Sequence, residues 1–370
     1  MISMLHIGKY YPPHMGGIEI YLQQLLLHQS KMMDVAAIVA NDIRRTQVEF
    51  LDGAKITRVA SLGVIASMPI TPTMAWSIRQ NKADLVHLHT PNPGAALALL
   101  MSGHSGKLII THHADTLGRK QLSKLADPFV RRVMERAAAI IVTSKRYLET
   151  SEELTPFRDK CKIIPLGIDP MRFEYQNSEV EAKIRNEYGD RLVLAVGRLV
   201  PFKGFEYLIR AMKQVSGTLL IIGAGPLKAA LKSCIIECSV SEKVRMIDNV
   251  DNALIPPYYR AASIFVMSSI TRAESFGIVQ VEAMAAGIPV INTDIPSGVP
   301  EVSVHGQTGF TVPPKDPEAL AQAINLLLDN TELRQQFGRE ACIQVHDRFS
   351  MEKTVKQTLD LYENVVAGQE

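Results

Sequence analysis

Short apolar runs alternate with helical segments along the whole chain, and the alternation begins again after residue 190. Val35–Val39, Leu85–His89, Leu108–Thr111 and Ile140–Thr143 are brief and partly β-branched. Segments such as Ile18–Gln29 and Phe129–Ala139 lie between them and read as helices. In the second half Arg191–Gly197, Thr218–Gly223, Ile264–Met267 and Pro289–Asn292 repeat the rhythm. A strand that is apolar on both faces must be covered on both, which calls for parallel sheets flanked by helices. The chain has 370 residues, more than one hydrophobic core ordinarily organises. The seam falls near Ile163–Pro170, where a strand ends in Pro, Gly and Asp before the polar stretch Glu174–Tyr188. The expected architecture is α/β, with two Rossmann-like domains, residues 1–168 and 169–350, whose parallel sheets face each other across a cleft. In open sheets of this kind ligands bind beyond the carboxyl ends of the strands.

Composition removes several classes. Hydrophobic residues make up 46% and charged residues 21%, the profile of a globular chain and not a disordered or fibrous one. No apolar run approaches the ~20 residues that cross a bilayer. Met1–Ile7 lacks a basic leader region and reads as a first strand. Cys161, Cys234, Cys238 and Cys342 form no disulfide pattern. Cys234 and Cys238 share a helix face without a second pair to complete a metal set, so they read as core thiols. A cytoplasmic location is expected. The net charge of +2 conceals an asymmetry: residues 1–168 carry 20 basic against 13 acidic side chains, and residues 169–370 carry 20 against 25. A basic front half favours an anionic surface or ligand; no nucleic-acid partner is expected.

Chemistry concentrates at strand ends. Tyr10–Glu19 follows the first strand and precedes a helix, and Gly16 and Gly17 there let a ligand approach the backbone at the helix N-terminus. Gly197–Gly204 follows another strand and places Arg198 and Lys203 five residues apart around a Pro-bent loop. A guanidinium forks onto phosphate oxygens and an ammonium acts as a mobile point charge, so this loop reads as a phosphate binder. His113, in Thr111–Asp115, can bond a sugar hydroxyl or a phosphate, or titrate near neutrality. His87 and His89 alternate along one strand, but no Glu or Cys completes a ligand set, and no metal is expected. Gly223–Lys228 starts like a dinucleotide fingerprint but has Lys228 where the third glycine belongs. No P-loop, nucleophile-elbow or Asp-x-Asp pattern occurs.

Glu274 and Glu282 lie eight residues apart around an apolar run that reads as a helix starting near Gly277. At about 100° per residue, eight positions rotate by a net ~80°, so the two acids face broadly the same way. One stands before the exposed N–H groups of the helix and the other within the helix. That suits a ligand with an anionic group for the helix end and hydroxyls for the carboxylates, such as a sugar nucleotide.

In their order along the chain, Gly16–Glu19, His112–Asp115, Ile164–Asp169, Gly197–Gly204, Gly223–Pro226 and the Glu274/Glu282 run resemble the retaining glycosyltransferases of family 4, which have the GT-B fold. The likeness spans nearly the whole chain. It implies that Arg198 and Lys203 hold the donor diphosphate, and that Glu274 and the amides of Phe276 and Gly277 hold the donor sugar. Glu282 would hold the ribose, Val250 would lie near the base, and His113 would touch the sugar or phosphate. Gly16 and Gly17 would border donor and acceptor. His113, Glu274, Arg198 and Lys203 are the candidate catalytic residues, and neither glutamate need be a nucleophile. No cofactor or metal is implied. In such chains the last helix crosses back onto the first domain, which suits residues 351–370. Ala114 stands where Ser is common, Ala224 where Asp is common, and Asp248–Asn249 replaces a frequent Leu-Gly pair.

The wording around Glu274 and His113 is similar to a branch that builds bacterial O-antigen and exopolysaccharide, often from GDP-mannose or GDP-rhamnose. The expected function is retaining transfer of a hexose from a nucleotide-diphosphate sugar to a lipid-linked or polysaccharide acceptor. Alternatives are another GT-B enzyme (an epimerase or a phosphorylase) and a non-catalytic sugar-nucleotide-binding subunit. Residues 117–139 mix Arg119, Lys120, Lys124, Arg131, Arg132 and Arg136 with apolar side chains. That mixture suits peripheral contact with an anionic membrane on its inner face, or equally a core-packed helix with a solvated basic face.

Overall fold

The computed structural model describes residues 2–14, 16–65, 68–115, 122–175, 177–248 and 250–368, with the side chains of 122–127 outside the description. The chain forms two compact units, residues 1–167 with 351–370, and residues 168–350.

The first unit is built on an eight-stranded sheet. In spatial order its strands are Cys161–Ile163, Ala139–Val142, Lys107–His112, Leu85–Thr90, Ser3–Ile7, Asp34–Ala40, Ala54–Val59 and Gln47–Leu51. All pairings are parallel except the last, between Ala54–Val59 and Gln47–Leu51. The chain moves outward from Ser3–Ile7 on one side and then returns to lay Leu85–Thr90 on its other side. The reversal leaves a crevice at the carboxyl ends of these two strands, where loops diverge to opposite faces. The helix Gly17–Gln29 starts at that end.

The second unit holds six parallel strands in the order Val244–Ile247, Thr218–Ile222, Leu192–Val196, Ile264–Val266, Val290–Thr293 and Gly309–Val312. Its reversal lies between Leu192–Val196 and Ile264–Val266. The loops 197–204 and 267–277 leave the sheet there, and these are the loops that carry the candidate phosphate and sugar residues. Leu194, Leu220 and Phe265 are fully buried, as strands covered on both faces require.

The helix Met351–Ala367 belongs to the first unit. Met351 and Val355 pack on Tyr21 and Leu25, and Leu361, Tyr362 and Val365 join the core with Leu22, Leu26 and Ile109. Ile168 and Ser350 form a bridge, with Ile168 N–H donating to the Phe349 carbonyl at 2.9 Å, so the two points where the chain passes between units lie side by side.

Element bounds depart from the sequence reading in places. The helix read as Phe129–Ala139 runs Leu122–Arg136, and Ala139 opens the next strand. Ala139 is small and apolar enough for either state, and pairing with Ile109 decides the outcome. The polar stretch after the seam contains the helix Ser178–Tyr188, whose Asn177 cap accepts from the Val180 N–H at 3.3 Å.

Candidate active site

In the second unit, backbone contact brings the loops together. Gly204 adopts φ +63, and a Cβ there would run into the Ser268 carbonyl and lie 2.6 Å from Ile270 Cγ2. Glycine is therefore required where the Arg198–Lys203 loop meets the loop leading to Glu274. Ile270 N–H donates to the Phe202 carbonyl at 2.8 Å, and Ser268 Oγ to the Lys203 carbonyl at 3.0 Å. Gly225 plays a similar part: its Cβ would lie 2.6 Å from the Leu199 carbonyl oxygen. The glycines of Gly223–Gly225 thus serve to press one loop against the next, which explains how half a dinucleotide fingerprint can occur without the third glycine.

The result is an ion pair. Lys203 Nζ lies 2.5 Å from Glu274 Oε2, with about an eighth of each side chain exposed (13% and 12%). Ser269 Oγ donates to the same carboxylate oxygen at 3.1 Å. Arg198 is exposed on the rim of the loop. Gly277 caps the helix Ile278–Ala285 in the left-handed region (φ +72), without any side-chain cap for the first-turn N–H groups. Such an uncapped N-terminus carries partial positive charge and unsatisfied donors. The Phe276 carbonyl accepts from Gln280 Nε2 at 2.8 Å, Asn292 Nδ2 donates to Gln280 Oε1 at 3.1 Å, and the Phe276 ring stands edge-on to Phe349. These contacts fix the peptide at Phe276–Gly277.

Glu282 lies inside that helix, and the phenol of Tyr259 donates to its Oε2 at 2.7 Å. Burial raises the Glu282 carboxyl above its ordinary range, against the opposing pull of Tyr259, Arg172 and Lys203. Lys203 therefore acts on both carboxylates, pairing with Glu274 and lowering Glu282. Arg172 also donates to the Asn252 carbonyl at 2.9 Å, linking the loop that carries Val250 to the neighbourhood of Glu282. Val250 follows the strand Val244–Ile247 and is half-buried, and Asp248 pairs with Lys228 at 2.5 Å. Asn249 lies outside the described residues. Tyr259 and Arg172 were absent from the sequence reading. A Tyr or Arg at those positions carries no local signal, because each meets Glu282 only through tertiary packing.

The first unit gathers its own polar group. Parallel pairing sets His6 opposite His87 and His89 opposite Thr111, so these residues and His113 share one sheet face. His6, His87, His89 and His113 are all buried. His6 Nε2 lies 2.8 Å from Gln29 Oε1, His6 Nδ1 3.1 Å from His89 Nε2, and His89 Nδ1 3.0 Å from His113 Nε2. His87 bridges Tyr362 OH at 2.5 Å and Thr111 Oγ1 at 2.6 Å. Burial lowers all four rings, His6 to about 4 and His113 to about 3, so they are neutral near pH 7. His6, His87 and His89 each place a nitrogen within 4.8 Å of the others, as do ligand atoms of His112, Asp115 and Glu153. In the first group the nitrogens are engaged with one another or with Gln29, His113, Tyr362 and Thr111. On the opposite sheet face, burial raises Asp115, but hydrogen bonds from His112, Ser151 and Tyr147 outweigh it and hold the carboxyl below its usual range.

Gly16 precedes the helix Gly17–Gln29, which again lacks a side-chain cap. A Cβ on Gly16 would collide with the Glu19 carboxylate. One turn on from Gly17, Tyr21 presents its ring edge-on to His113 at 5.6 Å. In the basic segment, residues 116–121 and the side chains of 122–127 lie outside the described residues. Arg131, Arg132 and Arg136 are exposed; the first two both reach Glu135, at 3.2 Å each, and Arg136 donates to the His104 carbonyl. Among the described residues no helix is long and apolar enough to cross a membrane.

Residues 15–172 match the family described as Glycosyltransferase Family 4, and residues 177–343 the family described as Glycosyl transferases group 1. The chain is 26% identical to the O-antigen chain mannosyltransferase C of Escherichia coli, over 100% of both chains. It is 28% identical to the D-rhamnosyltransferase WbpZ of Pseudomonas aeruginosa, covering 92% of this chain and 90% of that one. It is 30% identical to the D-inositol 3-phosphate glycosyltransferase of Corynebacterium glutamicum, covering 96% and 93%. Among solved structures, sucrose-phosphate synthase from Thermosynechococcus elongatus superposes with a TM-score of 0.85 over 100% of both chains at 22% identity. HepE of Anabaena, in complex with UDP-glucose, gives 0.79 over 98% and 100% at 19% identity. The chain belongs to glycosyltransferase family 4 and has the GT-B fold.

Proposed function

We propose that this glycosyltransferase moves a hexose, with retention of anomeric configuration, from GDP-mannose or GDP-rhamnose to a lipid-linked or polysaccharide acceptor in bacterial surface glycan synthesis. The observation that carries the reading is the Lys203–Glu274 pair, at the strand-order reversal and preceding an uncapped helix N-terminus. Cation, carboxylate and free N–H groups together match a ligand that is anionic at one end and hydroxylated at the other. The mannosyl- and rhamnosyltransferase relatives support the choice of sugar.

In this reading Arg198, Lys203 and the helix N-terminus receive the diphosphate, so that leaving-group charge is met by protein cations and no metal is called for. Glu274 and the Phe276 and Gly277 amides orient the sugar, Glu282 grips the ribose and Val250 lies by the base. His113 meets the sugar, and Gly16 and Gly17 border donor and acceptor. The acceptor oxygen forms its bond to the anomeric carbon on the face from which the phosphate oxygen departs, and the acceptor's proton passes to that departing oxygen. Membrane contact through Arg131 and Arg132 would bring a lipid-linked acceptor to the enzyme.

A donor-hydrolysis screen across GDP-, UDP- and ADP-sugars tests base and sugar together. Turnover of GDP-mannose or GDP-rhamnose is expected. Tight UDP binding with no GDP binding would overturn the nucleobase. Nucleotide binding without turnover of any donor would favour a silent binding subunit.

A further inference from the structure

The four buried histidines of the first unit leave one atom unaccounted for: among the described residues, His113 Nδ1 is buried without a hydrogen-bond partner. Its state follows from the other end of the chain of bonds. Gln29 Oε1 is a carbonyl oxygen and only accepts, so His6 must carry its proton on Nε2. A neutral imidazole has one N–H, hence His6 Nδ1 accepts, and His89 donates to it from Nε2. His89 Nδ1 then accepts in turn from His113 Nε2. Successive rings lie within 25° and 16° of parallel. The Gln29 amide is oriented by its nitrogen, which donates to the Tyr362 phenol oxygen at 3.3 Å. Tyr362 lies on the returning helix Met351–Ala367 and lies 2.5 Å from His87 Nδ1.

We propose that Gln29, His6 and His89 form a tautomer relay that holds His113 protonated on Nε2, so that Nδ1 presents a lone pair and recognises a hydroxyl group of the ligand. The three are positioning residues; none reaches the ligand itself. The proposal rests on the reading that His113 meets the donor sugar, and it narrows that reading. A lone pair accepts from a hydroxyl and repels a phosphate oxygen, so His113 selects the sugar end of the donor and not the diphosphate. Reversing the Gln29 amide would reverse every bond in the line and turn His113 Nδ1 into a donor. The polarity of one glutamine, three rings away, thus decides whether His113 Nδ1 can accept from a sugar hydroxyl.

Long-range proton–nitrogen correlation spectra of the full-length, nitrogen-labelled protein read the tautomer of each imidazole directly. His113, His89 and His6 are expected as the Nε2–H form without any ligand; an Nδ1–H form of His113 in the wild type would overturn the relay. Gln29→Met removes the carbonyl oxygen at similar volume and should convert His113 to a mixed or Nδ1–H form, whereas Gln29→Glu keeps an acceptor and should preserve it. The same Gln29→Met protein should lose at least tenfold in kcat/KM for the sugar nucleotide while binding the free nucleoside diphosphate within twofold of wild type. An unchanged tautomer in Gln29→Met would also overturn the relay. A changed tautomer with undiminished donor use would leave the relay standing and overturn the acceptance of a sugar hydroxyl by His113 Nδ1.

Discussion

Glu274→Gln separates the two tasks assigned to the Lys203–Glu274 pair. The carboxylate is neutralised at nearly constant volume, and Lys203 loses the partner held at 2.5 Å. With the sugar nucleotide, charge-assisted bonds from sugar hydroxyls become ordinary ones. A hydrogen bond to a charged group contributes about 1.5–3 kcal/mol against about 1 for a neutral one, so a loss of ~1–2 kcal/mol, or roughly 5–30-fold in donor affinity, is expected. With the free nucleoside diphosphate the sign reverses. No sugar is present to miss the carboxylate, and Lys203 no longer divides itself between Glu274 and phosphate. A partly exposed ion pair contributes about 1 kcal/mol net, so diphosphate affinity should stay level or rise by up to about fivefold. Calorimetric titration of wild type and variant, with whichever of GDP and UDP the wild type binds and with its mannose or glucose conjugate, reads both numbers. If Glu274→Gln weakened the free diphosphate as much as the sugar nucleotide, the carboxylate would not be a sugar grip and the division of labour would fail.

Other perturbations test separate parts. Gly277→Ala places a side chain at φ +72 with its Cβ 2.6 Å from Met267 Sδ; thermal melting should report a loss of about 1–3 kcal/mol together with weaker donor binding. The buried histidines make the first unit acid-sensitive: their folded pKa values lie below the unfolded 6.5, His6 at about 4 and His113 at about 3. The unfolded chain therefore binds protons first, so this stability is intact above pH 6.5 and lost as pH falls toward 4, at about 1.4 kcal/mol per pH unit for each ring. Urea midpoints between pH 7.5 and 4.5 should fall accordingly, and His6→Asn should flatten the slope. On vesicles containing anionic lipid the protein should float with the membrane, and Arg131→Glu/Arg132→Glu should reduce that fraction; equal flotation would end the membrane role.

The sequence disclosed those parts of the fold and site that are local. Leu192–Val196 and Thr218–Ile222 read as buried strands because continuous apolar runs bounded by glycine have few other homes. Lys203 and Glu274 were each legible because they sit in loops at strand ends, and parallel sheets collect such loops at one edge. What stayed hidden depends on which strands become neighbours. His6 lies 81 residues from His87, and only the pairing of Ser3–Ile7 with Leu85–Thr90 sets them abreast. A signal was nevertheless present. His87 and His89 occupy alternate positions of an otherwise apolar strand, and such polarity on one face of a buried sheet requires partners. Tyr259 and Arg172 are harder cases, since their link to Glu282 comes through helices whose packing no short motif encodes.

The central claim is that the diphosphate and its cations carry the chemistry while both glutamates only hold the donor. Anomeric configuration of the product, read by NMR on material made from an α-linked donor, tests it most directly. Wild type and Glu274→Gln should both give the α-linked product, the variant more slowly; an inverted product from either would contradict it.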